Sequence, residues 1–233
     1  MTCLTGFGRG IIAAVGKQFD FVTFDCYGTL IDWETGIRSA FLAAAAEDGV
    51  RLDPSLIIPA YADVERVVEG ESYRSYRDVL AETALRTGHA LGWRVTYGGF
   101  LADSLPQWRP FDDTNPALER LRGAGIRLGI LSNIDDDLLS STRRHFTVDF
   151  DLIVTAQQVG SYKPAPMHFL TARERVGAAR WLHAAQSNEH DIVPANALGI
   201  ANAWINRKSG RPLAGGTPTH EFRDLRGLAD ALT

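Results

Sequence analysis

Cysteine is scarce in this chain, which has two, Cys3 and Cys26, among 233 residues. A disulfide-bonded scaffold needs many more for its length, so the fold must depend on an ordinary hydrophobic core. Cys26 is most simply a small buried hydrophobe, because no pairing with a histidine marks it as a catalytic thiol.

An excess of positive charge is also absent. The chain has 24 basic and 28 acidic residues and a net charge of −4, which argues against nucleic acid or an anionic membrane as a partner. No apolar run reaches membrane-spanning length, and residues 1–16 lack the basic start and long apolar centre of a secretory signal. We expect an N-terminal extension at 1–16 and a cytoplasmic protein with a small-molecule partner. Whether it forms a homodimer stays open.

One short apolar run ends abruptly in a carboxylate. Phe21 to Phe24 is β-rich, and Asp25 follows it, with Gly28 and Thr29 close behind. A buried parallel strand delivers a charged side chain in this way to the carboxyl edge of a sheet, where α/β enzymes place their chemistry. A carboxylate there is an ion-pair partner, a metal ligand or a nucleophile.

The segment after this strand changes character. Residues 34–107 contain three stretches of helical periodicity and no strand-like run, which predicts an all-helical insertion. From residue 108 onward helical stretches alternate with strands, which predicts a doubly wound parallel sheet. We therefore expect an α/β Rossmann-like core made of 17–33 and 108–233, with a helical cap domain at 34–107. The later predicted strands are Ile126–Leu131, Leu152–Thr155, Trp181–Ala185 and, as the last, Ala203–Asn206.

Three further polar segments follow predicted strands. Ser132 and Asn133 come after the second strand, Lys163 precedes a proline, and Asp191 follows the strand before the last. Each signal alone is weak, because such residues are common in turns. Together with Asp25 and in this order they resemble the four motifs of the haloacid dehalogenase superfamily, and the resemblance covers the chain from about residue 19.

The resemblance implies a set of catalytic residues. Asp25 would be the nucleophile, and Lys163 would supply the positive charge that keeps it ionised. Thr29 and Ser132 would donate hydrogen bonds that orient one oxygen for attack. Asp191 would orient or activate the water that hydrolyses an aspartyl ester.

The same resemblance implies a substrate-binding set. Ser132 and Asn133 would hold the substrate carboxylate, Asn188 would lie near the nucleophile, and Tyr27 would face the substrate. His190 is either a structural cap of the following helix or a proton shuttle, because histidine titrates near neutral pH.

Tyr27, two residues after the nucleophile, separates two reactions. Superfamily phosphatases usually carry a second aspartate there, which protonates the alkoxide that leaves phosphorus. A phenol with a pKa near ~10 is a weak proton donor at neutral pH, whereas a halide leaving group needs no proton. The motif is the form seen in 2-haloacid dehalogenases. We therefore expect a cofactor-independent hydrolase of the (S)-2-haloacid dehalogenase type, which displaces halide from a small 2-haloalkanoic acid through an aspartyl ester and yields a 2-hydroxy acid.

Two alternatives stay open. A Mg²⁺-dependent phosphatase of a small phosphorylated metabolite would need Glu189 or Asp191 to hold the metal, and Gln186 stands at the usual acidic position. A non-catalytic binding protein on the same fold would have no evident use for a lysine facing a strand-end carboxylate. The dehalogenase interpretation itself includes no metal site.

The chain departs from the dehalogenase pattern in the surroundings of the nucleophile. The cap arginine that receives halide would fall near Ala62, a motif tyrosine is Phe169, and a motif serine is Gln186. Three nearby arginines could replace the missing one or be ordinary solvated charges. They are Arg66, Arg74 and Arg77.

Overall fold

The computed structural model describes residues 18–233, and the extension expected at 1–16 lies outside them. Within this range six strands form a single parallel sheet. The strands are β1 (Phe21–Phe24), β2 (Arg127–Ser132), β3 (Leu152–Thr155), β4 (Trp181–Ala185), β5 (Ala201–Ile205) and β6 (His220–Phe222).

The strand order is β3-β2-β1-β4-β5-β6, which confirms the predicted doubly wound sheet. The chain builds outward from β1 on one side and then returns to build outward on the other. The carboxyl ends of β1, β2 and β4 therefore flank a topological switch point, where a crevice forms in sheets of this kind. The prediction that Ala203–Asn206 is the last strand is wrong. The additional strand β6 was missed because it is a three-residue, partly exposed edge strand without an apolar run.

Helices occupy both the segment between β1 and β2 and the connections between later strands. No strand falls within residues 33–107, which we call the helical insertion. The helices are α1 (Trp33–Glu47), α2 (Pro54–Glu69), α3 (Tyr76–Ala90), α4 (Phe100–Ser104), α5 (Thr114–Gly123), α6 (Asp136–Arg143), α7 (Ala156–Val159), α8 (Met167–Val176), α9 (Val193–Ala197) and α10 (Leu225–Leu232).

The first three helices start at capping side chains. Asp32 accepts a hydrogen bond from a backbone N–H in the first turn of α1, Asp53 does so for α2, and Ser75 for α3. Each cap satisfies a backbone donor that has no partner inside its helix.

The helical insertion packs over the carboxyl edge of the sheet. Its aromatic residues share one apolar cluster with residues of β2 and α6, so the two parts have a continuous core. A polar clamp joins them as well. Asp135, buried in the loop after β2, accepts hydrogen bonds from the backbone N–H groups of Tyr76 (3.0 Å) and Arg77 (2.9 Å) at the start of α3. The insertion thus forms a roof over the switch point.

Across residues 18–233 no helix combines the length and the apolarity needed to cross a membrane.

Candidate active site

A cavity of about 250 Å³ lies between the carboxyl edge of the sheet and the helical insertion. Most of the polar residues singled out in the sequence line it. On the sheet side these are Asp25, Tyr27, Ser132, Asn133, Lys163 and Asp191. Side chains of the insertion close the opposite wall, among them Trp33, Ile37, Ala62, Glu65, Glu69 and Tyr76.

Lys163 occupies the centre of the polar wall. Its Nζ donates hydrogen bonds to Asp25 Oδ1 (3.0 Å), to Asp191 Oδ1 (2.6 Å) and to the carbonyl oxygen of Leu131 (2.9 Å). The ammonium is buried, and so is the carboxyl of Asp191. Three segments that are far apart in the sequence therefore meet around one cation.

Thr29 engages the second oxygen of Asp25. The hydroxyl of Thr29 accepts a hydrogen bond from the backbone N–H of Gln186 (2.9 Å) and donates its own proton to Asp25 Oδ2 (2.9 Å). Gly28 makes the intervening turn with φ = 96°, a conformation that side-chain-bearing residues rarely adopt. Together with Lys163, which is bonded to Oδ1, the loop thus fixes the orientation of the Asp25 carboxylate.

The pKa values of the three central groups depend on burial and on each other. Burial raises the pKa of Asp25 above its ordinary value, against the opposing effect of Lys163. For Asp191 burial also acts upward, but the charge of Lys163 and the hydrogen bond from His183 outweigh it and lower the pKa. Burial alone would lower the pKa of Lys163, yet its two carboxylate partners raise it to about 12. Lys163 is therefore a permanent cation at neutral pH.

Tyr27 turns its hydroxyl away from the nucleophile. The phenol oxygen lies 2.8 Å from Thr142 Oγ1, and the ring packs edge-on against Trp108. Burial raises the pKa of the phenol well above its ordinary value. Tyr27 therefore contributes a ring to the cavity wall and is a poor proton donor.

Asn133 holds the backbone of Lys163. Its Nδ2 donates to the carbonyl oxygen of Lys163 (3.0 Å), and its Oδ1 accepts from the N–H of the same residue (2.7 Å). The amide predicted to bind a substrate carboxylate thus positions the backbone of Lys163. Ser132 is buried on the same wall of the cavity.

Asn188 is not brought to the cavity. Its Nδ2 donates to the carbonyl oxygen of Gly216 (2.8 Å), and its Oδ1 accepts from the N–H of Leu213 (3.0 Å). The residue begins a turn of π-helix, Asn188–Ile192, that directs its amide toward this loop. Both polar atoms of the Asn188 amide are therefore committed to the loop backbone, and the expected position of Asn188 near the substrate stays a prediction.

His190 does line the cavity, on the same π-helical turn. Its predicted structural role as a helix cap belongs instead to Ser187, whose hydroxyl accepts a hydrogen bond from the N–H of His190 (3.0 Å). The imidazole lies near Glu65, and its effect on the pKa of that carboxyl is smaller than the upward effect of burial.

No arginine takes the place of Ala62, which itself faces the cavity. Arg66 lies at the rim, is 69% exposed and reaches Glu189 at 3.8 Å. Arg74 pairs with Glu71 and Arg77 pairs with Asp137, so both are surface ion pairs outside the cavity. Arg66 is therefore the one arginine among the described residues that line the cavity, and no arginine stands at the Ala62 position of the family pattern.

Two carboxyl groups on α2 were missed from the sequence. Glu65 Oε1 accepts hydrogen bonds from the phenols of Tyr61 (2.7 Å) and Tyr76 (2.9 Å), and Glu69 lies one turn further along. Burial raises the pKa of both carboxyls, that of Glu69 well above its ordinary value. Their spacing with Ala62 places all three on one helix face, which is the signal that could have revealed them.

A buried histidine behind Asp191 was also missed. His183 Nε2 lies 3.0 Å from Asp191 Oδ1, and its Nδ1 lies 2.9 Å from Thr23 Oγ1. Trp181 Nε1 donates to the same threonine oxygen (2.8 Å). Phe169, the replaced motif tyrosine, packs its buried ring edge-on against the imidazole. A polar residue at an alternate position of an otherwise apolar strand was the available signal.

Metal ligation and thiol chemistry have little support among residues 18–233. No group of three or more His, Cys, Asp or Glu side chains there is arranged to hold a metal ion. Burial raises the pKa of the Cys26 thiol well above its ordinary value, so the thiolate that would act as a nucleophile is disfavoured.

Comparison with known proteins gives consistent matches over most of the chain. A family model described as haloacid dehalogenase-like hydrolase matches residues 19–185. A (S)-2-haloacid dehalogenase of Pseudomonas putida is 26% identical over 93% of this chain and 97% of its own length. The solved structure of a defluorinating L-2-haloacid dehalogenase is 23% identical, covers 92% of this chain and 95% of that one, and superposes with a TM-score of 0.78. A phosphoglycolate phosphatase of Neisseria gonorrhoeae is 27% identical over 79% of this chain and 78% of its own length.

Proposed function

We propose that this chain, which belongs to the haloacid dehalogenase-like hydrolases, hydrolyses the carbon–halogen bond of small 2-haloalkanoic acids. The observation that carries the proposal is the buried Asp25–Lys163–Asp191 arrangement beside a tyrosine whose hydroxyl is bonded to Thr142 and whose pKa is raised. Such a site can run a displacement that releases a weakly basic leaving group. The similarity to (S)-2-haloacid dehalogenases along nearly the whole chain supports the same reaction.

In the first step a carboxylate oxygen of Asp25 attacks the Cα of the substrate from the side opposite the halogen. The new C–O bond forms as the carbon–halogen bond breaks, so the halide leaves with the bonding electron pair and the configuration at Cα inverts. Lys163 and Thr29 hold the carboxylate in one orientation, which lowers the entropic part of the barrier.

In the second step water hydrolyses the aspartyl ester. Asp191 Oδ1 is occupied by Lys163 and His183, whereas Oδ2 is buried and has no hydrogen-bond partner. Oδ2 is therefore the atom that accepts a proton from the attacking water as its oxygen adds to Cγ of Asp25. The bond between Cγ and the substrate-bound oxygen then breaks, and the proton passes from Asp191 to that oxygen. The 2-hydroxy acid departs with an oxygen that came from Asp25, and both carboxylates are restored once the second proton of the water has left to solvent.

The insertion supplies the roof of this site, and we propose that it acts as the cap domain of the enzyme over residues 34–107. Ser132 is the remaining sheet-side hydroxyl for the substrate carboxylate, while Asn133 acts through Lys163. Lys163 supplies the positive charge at the nucleophile, so we propose that no cofactor takes part. We also propose that the protein acts in the cytoplasm.

A Mg²⁺-dependent phosphatase is the second candidate, and a curated relative with that activity favours it. The residues present fit it less well. Both oxygens of Asp25 already accept hydrogen bonds, Gln186 offers a neutral amide, and Tyr27 replaces a general acid. Magnesium prefers near-ideal octahedral oxygen ligation, which this donor set does not provide.

The deciding experiment measures halide release from racemic 2-chloro- and 2-bromopropionate with and without EDTA. We expect release that resists the chelator, stops at half of the racemate and is abolished in Asp25→Asn. Magnesium-dependent phosphate release from a panel of phosphate esters, without halide release, would instead establish the phosphatase.

A further inference from the structure

We propose that His183 is a positioning residue for the hydrolytic half of the reaction, because it fixes which oxygen of Asp191 is free to accept a proton from water. This inference rests on the proposed function, and it concerns a side chain that does not line the cavity. His183 lies on β4, fully buried, two residues before the carboxyl end of the strand.

The ionised state of Asp191 decides which group donates the hydrogen bond between Asp191 and the imidazole. The pKa of Asp191 is lowered, so its carboxyl is ionised and can only accept hydrogen bonds. His183 Nε2, 3.0 Å from Asp191 Oδ1, must therefore carry a proton and donate it.

The other nitrogen is held by Thr23. The indole N–H of Trp181 has no acceptor capacity, so it donates to Thr23 Oγ1 (2.8 Å). The same oxygen lies 2.9 Å from His183 Nδ1 and is hydrogen-bonded to it. In β1 and β4 the register places Thr23 directly beside His183, which makes this contact a consequence of the sheet. His183 is thus held at both ring nitrogens, with Nε2 as the donor to Asp191.

The arrangement leaves Asp191 asymmetric. Oδ1 accepts from both Lys163 Nζ and His183 Nε2, and these two donors fix the rotation of the carboxylate. Oδ2 is buried and has no hydrogen-bond partner, and Asp191 itself lines the cavity. Without His183, Oδ1 would keep a single donor, and the carboxylate could rotate to present either oxygen to water. Hydrolysis of the ester would slow, while displacement of halide by Asp25 would proceed.

The test separates these two half-reactions in His183→Phe, which keeps an aromatic ring against Phe169 but donates no hydrogen bond. A short pulse of 2-chloropropionate is quenched at intervals, and intact-protein mass spectrometry follows the aspartyl ester. We expect the ester to form at the wild-type rate and to decay roughly 10- to 100-fold more slowly, the range seen when a partner that orients a reactive ligand is removed. In the steady state kcat and KM fall together. The ratio kcat/KM stays within about twofold of the wild-type value, because it depends only on the steps up to and including halide release.

Matched variants control for a general structural effect. His183→Gln, whose amide can donate toward Asp191, should restore most of the decay rate. Thr23→Val, which removes the hydrogen-bond partner of Nδ1, should also slow decay. His89→Phe, on the exposed end of α3, should leave both rates unchanged. A parallel fall in ester formation and ester decay in His183→Phe would overturn the proposal and make His183 a packing residue only.

The Nε2 proton has its own readout that needs no turnover. The ¹H and ¹⁵N shifts of the His183 ring should show a proton on Nε2. A ring that carries no proton on Nε2 would overturn the assignment. If the wild-type protein releases no halide, the proposed function fails, and the ring shifts still decide the hydrogen-bond arrangement.

Discussion

Lys163 Nζ and Asp25 Oδ1 are joined at 3.0 Å inside the protein, with the ammonium 1% exposed. Removing one member of a buried ion pair leaves an uncompensated charge, which destabilises a protein by about 3 to 5 kcal/mol. Lys163→Met leaves Asp25 and Asp191 facing each other without a cation. We expect unfolding at lower denaturant, a loss of about this size in the free energy of unfolding, and no measurable halide release.

The control for this prediction is Lys208→Met. Lys208 pairs with Glu34 but is 63% exposed, so the pair is screened by water and contributes little. Equilibrium unfolding in urea should give a lower free energy of unfolding for Lys163→Met and a value near that of the wild type for Lys208→Met. Equal stability of the two variants would contradict the buried pair as a source of stability.

The pH dependence of kcat/KM should carry an acid limb set by Asp25. The nucleophile must be deprotonated, and burial raises its pKa above the ordinary value of 3.8. The kcat/KM for halide release should therefore increase with pH, with a midpoint above 3.8. On the alkaline side no loss from Lys163 is expected until the pH approaches its pKa of about 12. A midpoint at or below 3.8 in a pH–rate profile would exclude Asp25 as the titrating nucleophile.

The same groups act on stability in opposite senses. Asp191, with a folded-state pKa below 3.8, stabilises the protein above that pH, and this contribution is lost as the pH falls below it. Asp25, with a raised pKa, destabilises the folded state as the pH rises from 3.8 through that pKa. Lys163 stabilises below its ordinary pKa of 10.5 and loses this contribution as the pH rises through about 12.

Glu69 should make the binding of an anionic substrate dependent on pH. Its carboxyl faces the cavity, and burial raises its pKa well above the ordinary value, so it becomes negatively charged at a higher pH than a surface glutamate. KM for 2-chloropropionate should rise as the pH passes through this ionisation, because two like charges then share the cavity. In Glu69→Gln the rise should be smaller, so that KM at the highest pH is roughly 3- to 10-fold lower than in the wild type.

Glu47→Gln serves as the matched control, since Glu47 ends α1 on the exposed surface. Its KM profile should follow the wild type throughout. A KM that stays independent of pH in the wild type, or a Glu69→Gln profile that still rises, would show that Glu69 does not face the bound anion.

The sheet and its nucleophile were predictable because their signals are local. Buried parallel strands read as short apolar runs, and a single carboxylate at the end of one run stands out. The order of Asp25, Lys163 and Asp191 along the chain was enough to expect their meeting. The distances and the shared cation are tertiary facts that no spacing in the sequence encodes.

The missed residues have physical reasons in common. His183 and Thr23 are single polar residues inside apolar strands, and only the register of β1 and β4 makes them neighbours. Glu65 read as a solvated helix charge until packing of the insertion buried it against two tyrosines. The family resemblance predicts Asn188 near the nucleophile, whereas in the structure it begins a π-helical turn and its amide bonds to the loop backbone.

Asp135 should be needed to hold the helical insertion on the sheet. Its two oxygens accept from the backbone N–H groups of Tyr76 and Arg77, and these bonds cross from the loop after β2 to α3. Asp135→Ala should lower the free energy of unfolding by about 2 kcal/mol, typical of hydrogen bonds to a charged group, and raise KM because the roof of the cavity loosens. Asp53→Ala, which removes a cap within the insertion itself, should leave KM unchanged. If both variants alter KM equally, the clamp across the two parts is not what shapes the cavity.

Tyr27→Phe tests whether the leaving group needs a proton. The phenol is bonded to Thr142 and its pKa is raised well above the ordinary value, so the hydroxyl cannot serve as a general acid at neutral pH. The variant keeps the ring against Trp108 and should change kcat for 2-bromopropionate by less than about tenfold, below the usual contribution of general acid catalysis. It should lower the free energy of unfolding by about 1 kcal/mol, because a hydrogen bond to Thr142 is lost. Comparing chloro- and bromopropionate in the variant sharpens the result, because a proton-assisted departure would weaken chloride release more than bromide release. A kcat that falls by a hundredfold or more, and falls further for chloride, would mean that Tyr27 assists the leaving group after all.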